Sequence, residues 1–432
     1  MIYDYIIVGG GVAGLTVAKG LAERKQTVLC LEYWPTWGGR VVTERARVGG
    51  HRIQYEIGAG RIFHAHERVN ALVKRFGLHT YPITTESDYE GRPNTFLELF
   101  SPIKKALETL PASVLATHTV KDLLPSSLHH VLSMFPYTSE FDLMRADVAL
   151  PLFDTRKPMG TRLEEGRGTR LGGTRLEEGR GTRFGGTAEY YGIVEGLDAL
   201  ATGLHAEAVA AGAICKARYR VDDAKKGTDG LFDVVGKHGK QAEETPFHFR
   251  GTNVIIATCR CSLSGFSVLK GAPLLKQVQT GALMRIYAVY PPTKDGSVWF
   301  AGLKKQVTAG PLRHVIPINE ASGLIMISYT DGDDTKFWRA KEGAALEAAI
   351  QREAKALFPD RMIPPPVYLK KHDWKQGCSY WVPTGVPYDV KAASKAAHNP
   401  SPRVYVVGES VSTQQTWIEG ALESAETLLG ML

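Results

Sequence analysis

Two glycine-rich loops in the first 45 residues carry the clearest chemical signal. Gly9-Gly10-Gly11-Val12-Ala13-Gly14 has the spacing G-x-G-x-x-G and follows the apolar run Ile6-Ile7-Val8 directly. After a strand, the first glycine permits a tight turn, the second lets a pyrophosphate approach the backbone, and the third allows close helix–strand packing. The phosphates then lie at a helix N-terminus, whose N–H groups favour negative charge. The motif predicts a dinucleotide site at Gly9, Gly11, Val12, Ala13 and Gly14.

Glu32 and the second glycine loop narrow the choice of dinucleotide. Glu32 ends the next predicted strand, where a carboxylate accepts hydrogen bonds from an adenosine ribose. An acid at this position repels a 2′-phosphate, so NADP is not expected. Gly38-Gly39-Arg40 follows six residues later. We expect Gly39 and Arg40 to contact the pyrophosphate from the side opposite the first loop.

The elements that must position these loops are spread along the chain. Tyr5–Val8, Leu15–Arg24 and Thr27–Leu31 read as strand, helix and strand. Later patterns predict helices over 66–78, Ile193–Ala211 and 344–357, a final helix from Ile418, and helical stretches broken by prolines over 101–155. They predict strands at Asn253–Ala257, at 283–301 (ending in Val298-Trp299-Phe300) and at Val404–Val407. Because strands suited to one buried sheet occur at the start, middle and end, the nucleotide domain must be discontinuous.

The motifs together carry a family resemblance. G-x-G-x-x-G, then E-x5-G-G-R from Glu32 to Arg40, then Gly408-Glu409 with Glu419-Gly420-Ala421 and Ser424-Ala425 resemble the flavin-containing amine oxidase superfamily. That group includes monoamine, polyamine and L-amino-acid oxidases. The resemblance implies bound FAD, an amine or amino acid as substrate and molecular oxygen as acceptor, giving an imine and hydrogen peroxide. Two alternatives stay open: a C–C desaturase or dehydrogenase on the same scaffold, and a flavin-bound protein without turnover.

The resemblance implies roles for a central turn. Gly58-Ala59-Gly60-Arg61 resembles the version found in L-amino-acid oxidases, where the glycines and alanine approach the flavin and the arginine reaches the substrate carboxylate. An arginine fork binds a carboxylate through two parallel hydrogen bonds, which a lysine cannot do. The alternative is that Arg61 contacts a flavin phosphate or a backbone carbonyl.

It also implies roles near the C-terminus. Gly408 and Glu409 resemble the turn that holds the ribityl and phosphate groups, and Trp417 and Ile418 match the segment under the flavin. Trp417 is then one wall of an aromatic cage, with Tyr380 or Trp381 as the other. Trp374 resembles a tryptophan that lies against the isoalloxazine. We therefore take Arg61, Arg285, Tyr380 and Trp417 as the catalytic candidates.

Two positions depart from the family pattern. Arg285 stands where related oxidases place a lysine that holds a water near flavin N5, which puts reoxidation by oxygen in question. Gly377-Cys378-Ser379-Tyr380 resembles the segment that attaches FAD covalently in monoamine oxidases. Trp374 lies only four residues before Cys378, a shortened spacing, so non-covalent FAD is the expectation.

We predict an α/β fold with a discontinuous Rossmann-like FAD-binding domain and an inserted α+β substrate domain with a helical segment. The FAD-binding domain comprises residues 1–65, 187–275 and 386–432, and the substrate domain comprises 66–159 and 276–385. Between them, 160–186 holds a tandem repeat of period 13, GTRLEEGRGTRLG and GTRLEEGRGTRFG. Each copy has four glycines and few apolar residues, so we expect a solvated loop, with an arginine-rich anion clamp as the alternative.

Composition bears on the expected cellular location and binding partners of the protein. The chain has 432 residues, five scattered cysteines and a formal charge of +7. With no leader before the first strand and no apolar run near the roughly 20 residues that span a bilayer, we expect a cytoplasmic protein away from membranes. The charge is spread and lacks interleaved aromatics, so nucleic acid is not an expected partner. Cys259-x-Cys261 and His64-x-His66 lack further ligands, so no metal is expected. The oligomeric state is left open.

Overall fold

The computed structural model describes residues 1–83, 87–89, 96–133, 138–150, 190–240, 244–294 and 296–432. Its strands are β1 (Ile2–Val8), β2 (Val28–Glu32), β3 (Thr43–Val48), β4 (His51–Glu56), β5 (Ile62–Phe63), β6 (Thr80–Ile83), β7 (Ser87–Tyr89), β8 (Tyr190–Ile193), β9 (Ile214–Ala217), β10 (Tyr219–Lys226), β11 (Phe232–His238), β12 (Thr245–Ile256), β13 (Val278–Val289), β14 (Lys305–Val307), β15 (His314–Asn319), β16 (Leu324–Asp331), β17 (Tyr368–Trp381) and β18 (Val404–Val406).

Its helices are α1 (Val12–Glu23), α2 (Glu67–Arg75), α3 (Phe96–Glu108), α4 (Ala112–Leu115), α5 (Val120–Leu123), α6 (His129–Ser133), α7 (Thr138–Asp142), α8 (Ala146–Ala149), α9 (Asp198–Ala210), α10 (Arg260–Leu263), α11 (Leu274–Gln277), α12 (Thr335–Arg339), α13 (Gly343–Leu357), α14 (Val390–His398) and α15 (Ile418–Met431). In the described part of the chain, no helix combines the length and the apolar character needed to cross a bilayer.

The larger sheet gathers strands from distant parts of the sequence. Its order is β10-β11-β12-β1-β2-β9, and β18 also pairs with β12. The pairs β12–β1, β1–β2, β2–β9 and β12–β18 are parallel, whereas β10 and β11 form an antiparallel extension. The sheet therefore joins the start, middle and end of the chain, as the discontinuous Rossmann-like prediction requires.

Burial on both faces explains why β1 is apolar without alternation. Ile7 packs in a core with residues of α1, α9 and α15, whereas Ile6 and Val8 belong to the core on the other face. Ile6 and Ile7 are fully buried. Parallel strands covered on both faces show this continuous apolar pattern because successive side chains face opposite layers.

The smaller sheet, of order β17-β13-β16-β15-β14-β7, forms the opposing part of the molecule. All its pairs are antiparallel except β14–β7. One face packs on α12 and α13 through a core that includes Trp338 and Ile350. The short helices α4–α8 form a separate core against Tyr380 and Val382, near the end of β17. The predicted α/β class with an inserted α+β part and a helical segment is confirmed, while the predicted domain boundaries stay predictions.

Two predicted elements differ from the structure. The helix predicted over Ile193–Ala211 begins only at Asp198, because Ile193 is the last residue of β8 and a turn follows. Gly196 in that turn has φ +95°, and Val194, an apolar residue within the predicted range, is 55% exposed. The stretch Val298-Trp299-Phe300 is a buried turn and not a strand. The apolar spacing predicted the burial of these three residues correctly but predicted the wrong backbone conformation. The tandem repeat lies outside the described residues.

Candidate flavin and substrate site

A cavity of about 1800 Å³ is lined by residues of both sheets and of the loops between them. Almost every residue selected from the sequence lies on its wall: Gly9, Gly11, Val12, Ala13, Glu32, Gly39, Arg40, Gly58, Ala59, Gly60, Arg61, Arg285, Trp374, Tyr380, Gly408, Glu409, Trp417 and Ile418. Gly14 is the exception. The fold thus brings together residues from 9–61, from position 285 and from 374–418.

The two glycine loops contact each other at one end of the cavity. The N–H of Gly38 donates to the carbonyl of Gly10 at 2.9 Å, and Gly11 forms an isolated bridge with Gly38. Gly9 adopts φ +113°, a conformation that L side chains rarely enter, and a Cβ there would lie 2.5 Å from the carbonyl oxygen of Ala257. The first turn therefore requires glycine for the backbone itself.

Gly11 and Gly14 differ in what a side chain would meet. A Cβ on Gly14 would lie 2.0 Å from the carbonyl oxygen of Gly9, which explains why Gly14 serves helix–strand packing and not the cavity wall. A Cβ on Gly11 would meet only the carbonyl oxygen of Gly38, at 3.9 Å, and would otherwise project into the cavity. This open backbone at the N-terminus of α1 fits a pyrophosphate.

Glu32 is buried at the end of β2 and faces the same region. One carboxylate oxygen accepts the N–H of Gly10 at 2.7 Å and the other accepts the N–H of Trp34 at 2.8 Å. Burial raises the pKa of Glu32, and the two N–H donors oppose that shift. Each oxygen retains a second acceptor site, so Glu32 can fix the first loop and also accept from a ribose hydroxyl.

Arg40 and Glu409 form an ion pair across the cavity wall. The Arg40 guanidinium donates to Glu409 at 2.8 Å and to the carbonyl of Gly377 at 3.0 Å. Glu409 is buried and also accepts the N–H groups of Ser379 and Thr416, both at 2.8 Å. The second glycine loop, β17 and the segment before α15 therefore meet at one carboxylate.

The turn after β4 is held by donors from the smaller sheet. The guanidinium of Arg285 (2.8 Å) and the hydroxyl of Tyr287 (2.5 Å) both donate to the carbonyl of Glu56. The indole N–H of Trp374 donates to the carbonyl of Ile57 at 2.6 Å. Arg285 also lies over the ring of Tyr329. These contacts fix the start of the Gly58–Arg61 segment.

Arg61 lies against two aromatic rings. Its guanidinium carbon is 4.3 Å from the ring centre of Tyr190 and 5.7 Å from that of Trp417. The two rings are nearly parallel, with an 8° interplanar angle and centres 6.2 Å apart. His66 packs edge-on against Trp417 at 4.7 Å, and burial, followed by the charge of Arg61, lowers its pKa to about 4. A neutral His66 therefore supports Trp417 from behind.

The structure distinguishes between Tyr380 and Trp381, the two candidates for the second aromatic wall. Tyr380 lines the cavity, whereas Trp381 lies in the core of the larger sheet and donates its indole N–H to the carbonyl of Ser412. Trp381 is thus wrong as a cage wall. The ring stacked parallel to Trp417 is Tyr190, which the sequence interpretation missed. Cys378 also lies on the cavity wall.

Tyr190 and Lys305 are two wall residues, among others, that the sequence interpretation did not select. Tyr190 begins β8, which inserts between β5 and β6. Lys305 begins the three-residue strand β14. Neither belongs to a recognisable motif. The one available signal was the Tyr190-Tyr191 pair just before the helix predicted over Ile193–Ala211.

A mostly parallel sheet whose glycine loops and buried Glu32 share one cavity with Arg61, Tyr190 and Trp417 is the arrangement expected of a flavin-dependent oxidoreductase. The family of flavin containing amine oxidoreductases matches residues 12–427. The chain belongs to this family, and the predictions of the family, of FAD as cofactor and of an FAD-dependent oxidoreductase are confirmed.

Individual relatives are more distant. Flavin-containing amine oxidase A of Equus caballus is 31% identical over 105 residues, 23% of this chain and 19% of that protein. (S)-6-hydroxynicotine oxidase of Paenarthrobacter nicotinovorans is 38% identical over 92 residues, 21% of each chain. The matched segments thus span about a fifth of these relatives' length.

Solved structures match over the whole chain. Putrescine oxidase bound to putrescine has a TM-score of 0.67 at 13% identity, covering 100% of this chain and 99% of that one. Cyclohexylamine oxidase from Brevibacterium oxydans has a TM-score of 0.66 at 18% identity, with the same coverage. At these identities the similarity establishes the fold.

Proposed function

We propose that the protein oxidises the C–N bond of an amino acid to an imine, which hydrolyses in water, and forms hydrogen peroxide. When bound, FAD would supply a two-electron acceptor for the hydride of the substrate carbon, with molecular oxygen as the final acceptor. The observation that carries the proposal is the position of Arg61 on the cavity wall, against Tyr190 and Trp417.

Arg61 supports a substrate with a carboxylate. A planar guanidinium over an aromatic ring gains a cation–π attraction that limits its orientations, so less entropy is lost when it binds a ligand. Its fork can then form two parallel hydrogen bonds to a carboxylate. The substrate amine would lie beside Trp417, where the aromatic walls exclude water and favour the neutral amine that donates hydride.

The cofactor end of the cavity would be held by the residues described above. We assign the pyrophosphate to Gly11, Gly39 and the N-terminus of α1, and the ribose to Glu32. Arg40 and Glu409 would fix the wall beside the phosphates and the ribityl chain. Trp374, which donates to the carbonyl of Ile57, and Ile418 would hold the flavin ring.

The electron acceptor has a second candidate. Arg285 uses its guanidinium to bind the carbonyl of Glu56, whereas the lysine of related oxidases holds a water. This contact favours, as the second candidate, a dehydrogenase that passes electrons to an acceptor other than oxygen. Peroxide formed in proportion to substrate consumed supports the oxidase; flavin reduction without peroxide in air supports the dehydrogenase.

Arg61→Ala tests the substrate class. Breaking a desolvated charge pair costs about 2–5 kcal/mol, so kcat/KM for amino acids should fall at least about thirtyfold. The corresponding decarboxylated amines should be unaffected or improve. Arg61→Lys should recover only part of the activity, and Arg47→Ala, an exposed arginine on β3 away from the cavity, is the matched control. Equal losses for both substrate types with depleted FAD would mean that Arg61 serves the cofactor.

A further inference from the structure

Lys305 places a second cation on the wall that holds Arg61. It begins β14 and pairs with Ser87 of β7, and its side chain is half-buried and lines the cavity. Among the residues that the structure describes, no carboxylate lies within ion-pairing distance of its amino group. A half-buried ammonium without an acidic partner is costly, because burial removes water that nothing on the protein replaces.

The acids on the same wall are already engaged. Each carboxylate of the described cavity wall has a hydrogen-bonding or ion-pairing partner, namely Glu32 (Gly10, Trp34), Glu56 (Thr43, Leu197), Asp222 (Arg220), Asp331 (Ser139), Asp373 (Arg339) and Glu409 (Arg40). A diamine would bring a second positive charge toward Lys305 and Arg61, and these two cations would repel it. An anionic group would instead offset the charge of Lys305.

The environment of Lys305 disfavours its charged form. Burial, with a further contribution from the charge of Arg61, lowers the pKa of Lys305 to about 7. The other charged or titratable groups on the described elements packed against it are Lys304 beside it, Asp88 and Tyr89 on β7, and His314 on β15. The Asp88 carboxylate accepts a hydrogen bond from the side-chain amide of Gln306. The described surroundings thus disfavour the ammonium until an anion arrives.

We infer that Lys305 and Arg61 together bind a substrate with two carboxylates, so that the substrate class is a dicarboxylic amino acid. Arg61 would bind the carboxylate next to the amine, and Lys305 the carboxylate of the side chain. The Arg61 half rests on the proposed function. The role of Lys305 in binding a second carboxylate does not depend on the reaction and can be tested without turnover.

Binding of unreactive acids to the FAD-loaded protein is the first test. Calorimetry or the flavin difference spectrum should show that glutarate, or its neighbours succinate and adipate, binds at least about tenfold more tightly than butyrate at pH 7. Lys305→Met should reduce the best diacid to the level of butyrate, and Lys305→Arg should retain most of the preference. Lys395→Met, an exposed lysine on α14, is the matched control and should change nothing.

Proton uptake is the second test. At pH 8 a lysine with a pKa of about 7 is mostly neutral, so binding a diacid there should take up a proton, and the affinity should fall as the pH rises above about 7. Calorimetry at pH 8 in two buffers of different ionisation enthalpy measures this uptake. The uptake should be small at pH 6 and absent in Lys305→Met. Equal uptake in the wild type and Lys305→Met would overturn the assignment.

The two proposals fail in different ways. If pentane-1,5-diamine binds better than glutarate, or Lys305→Met leaves the diacid preference intact, the Lys305 inference is wrong whatever the reaction. If L-glutamate and L-glutamine reduce the flavin equally well under anaerobic conditions, the inference is wrong while amino-acid oxidation stands. If diacids bind through Lys305 but no amino acid reduces the flavin, the binding site stands and the proposed function fails.

Discussion

Replacing Glu409 by glutamine tests whether one buried carboxylate assembles the cofactor end of the cavity. Glu409 accepts four hydrogen bonds, from the N–H and hydroxyl of Ser379, the N–H of Thr416 and the guanidinium of Arg40. Glutamine keeps one acceptor oxygen, which can still serve the two N–H groups. Its amide nitrogen would face Arg40, so that a donor meets a donor and the ion pair is lost.

The magnitude follows from the burial of the two partners. Removing one member of a buried ion pair costs about 3–5 kcal/mol, and hydrogen bonds to charged groups contribute about 1.5–3 kcal/mol. The Arg40 side chain is 29% exposed, against 6% for Glu409, so water offsets part of the loss. We expect the free energy of unfolding to fall by about 2 kcal/mol. FAD affinity should fall by at least about tenfold, because Arg40 and the Thr416 segment line the site.

Urea unfolding of the apoprotein and FAD titration of the same preparations measure the two effects. Glu419→Gln is the matched control, since Glu419 is equally buried and accepts from the N–H groups of Arg68 and Val69 and from the Arg68 guanidinium, away from the cavity. It should lose comparable stability with little change in FAD affinity. If both variants lose FAD to the same extent, the effect is general destabilisation and the assignment of Glu409 to the cofactor site is wrong.

Three further outcomes are expected. Gly11→Ala should leave the thermal unfolding midpoint of the apoprotein nearly unchanged and weaken FAD binding, whereas Gly14→Ala should destabilise the fold. If Gly11→Ala fails to fold, the space found around a Cβ at position 11 is contradicted. The pKa of His66 is about 4 in the folded protein against 6.5 in the unfolded chain, so its contribution to stability is present above pH 6.5 and is lost as the pH falls toward 4. In denaturant unfolding, the stability difference between the wild type and His66→Phe should therefore fall by about 1–2 kcal/mol between pH 7 and pH 5. Because we expect non-covalent FAD, acid denaturation should release the intact cofactor. Mass spectrometry that finds flavin attached to Cys378 would show that the prediction of non-covalent FAD is wrong.

The sequence was sufficient where structure is set by neighbours along the chain. Gly9, Gly14 and Glu32 lie in one strand–turn–helix–strand unit, so their spacing together with that local context predicts their place in the fold. It was insufficient where a contact depends on tertiary pairing. Tyr190 meets Trp417 only because β8 inserts between β5 and β6, and Lys305 reaches the wall because β14 pairs with β7. Periodicity also misplaced the start of α9, since exposed Val194 satisfies an apolar pattern without being buried.

The segment from Glu56 to Arg61 links the two halves of the cavity. Arg285, Tyr287 and Trp374 all donate to carbonyls at its start, and these donors come from β13 and β17 of the smaller sheet. Arg61 stands at its end, so the position of the guanidinium depends on the same contacts that would place Trp374 against the flavin. Residues assigned to cofactor and substrate are therefore not independent. Truncating Arg285 should disturb carboxylate binding and FAD retention together, whereas truncating Lys305, on β14 beyond this network, should alter substrate binding alone.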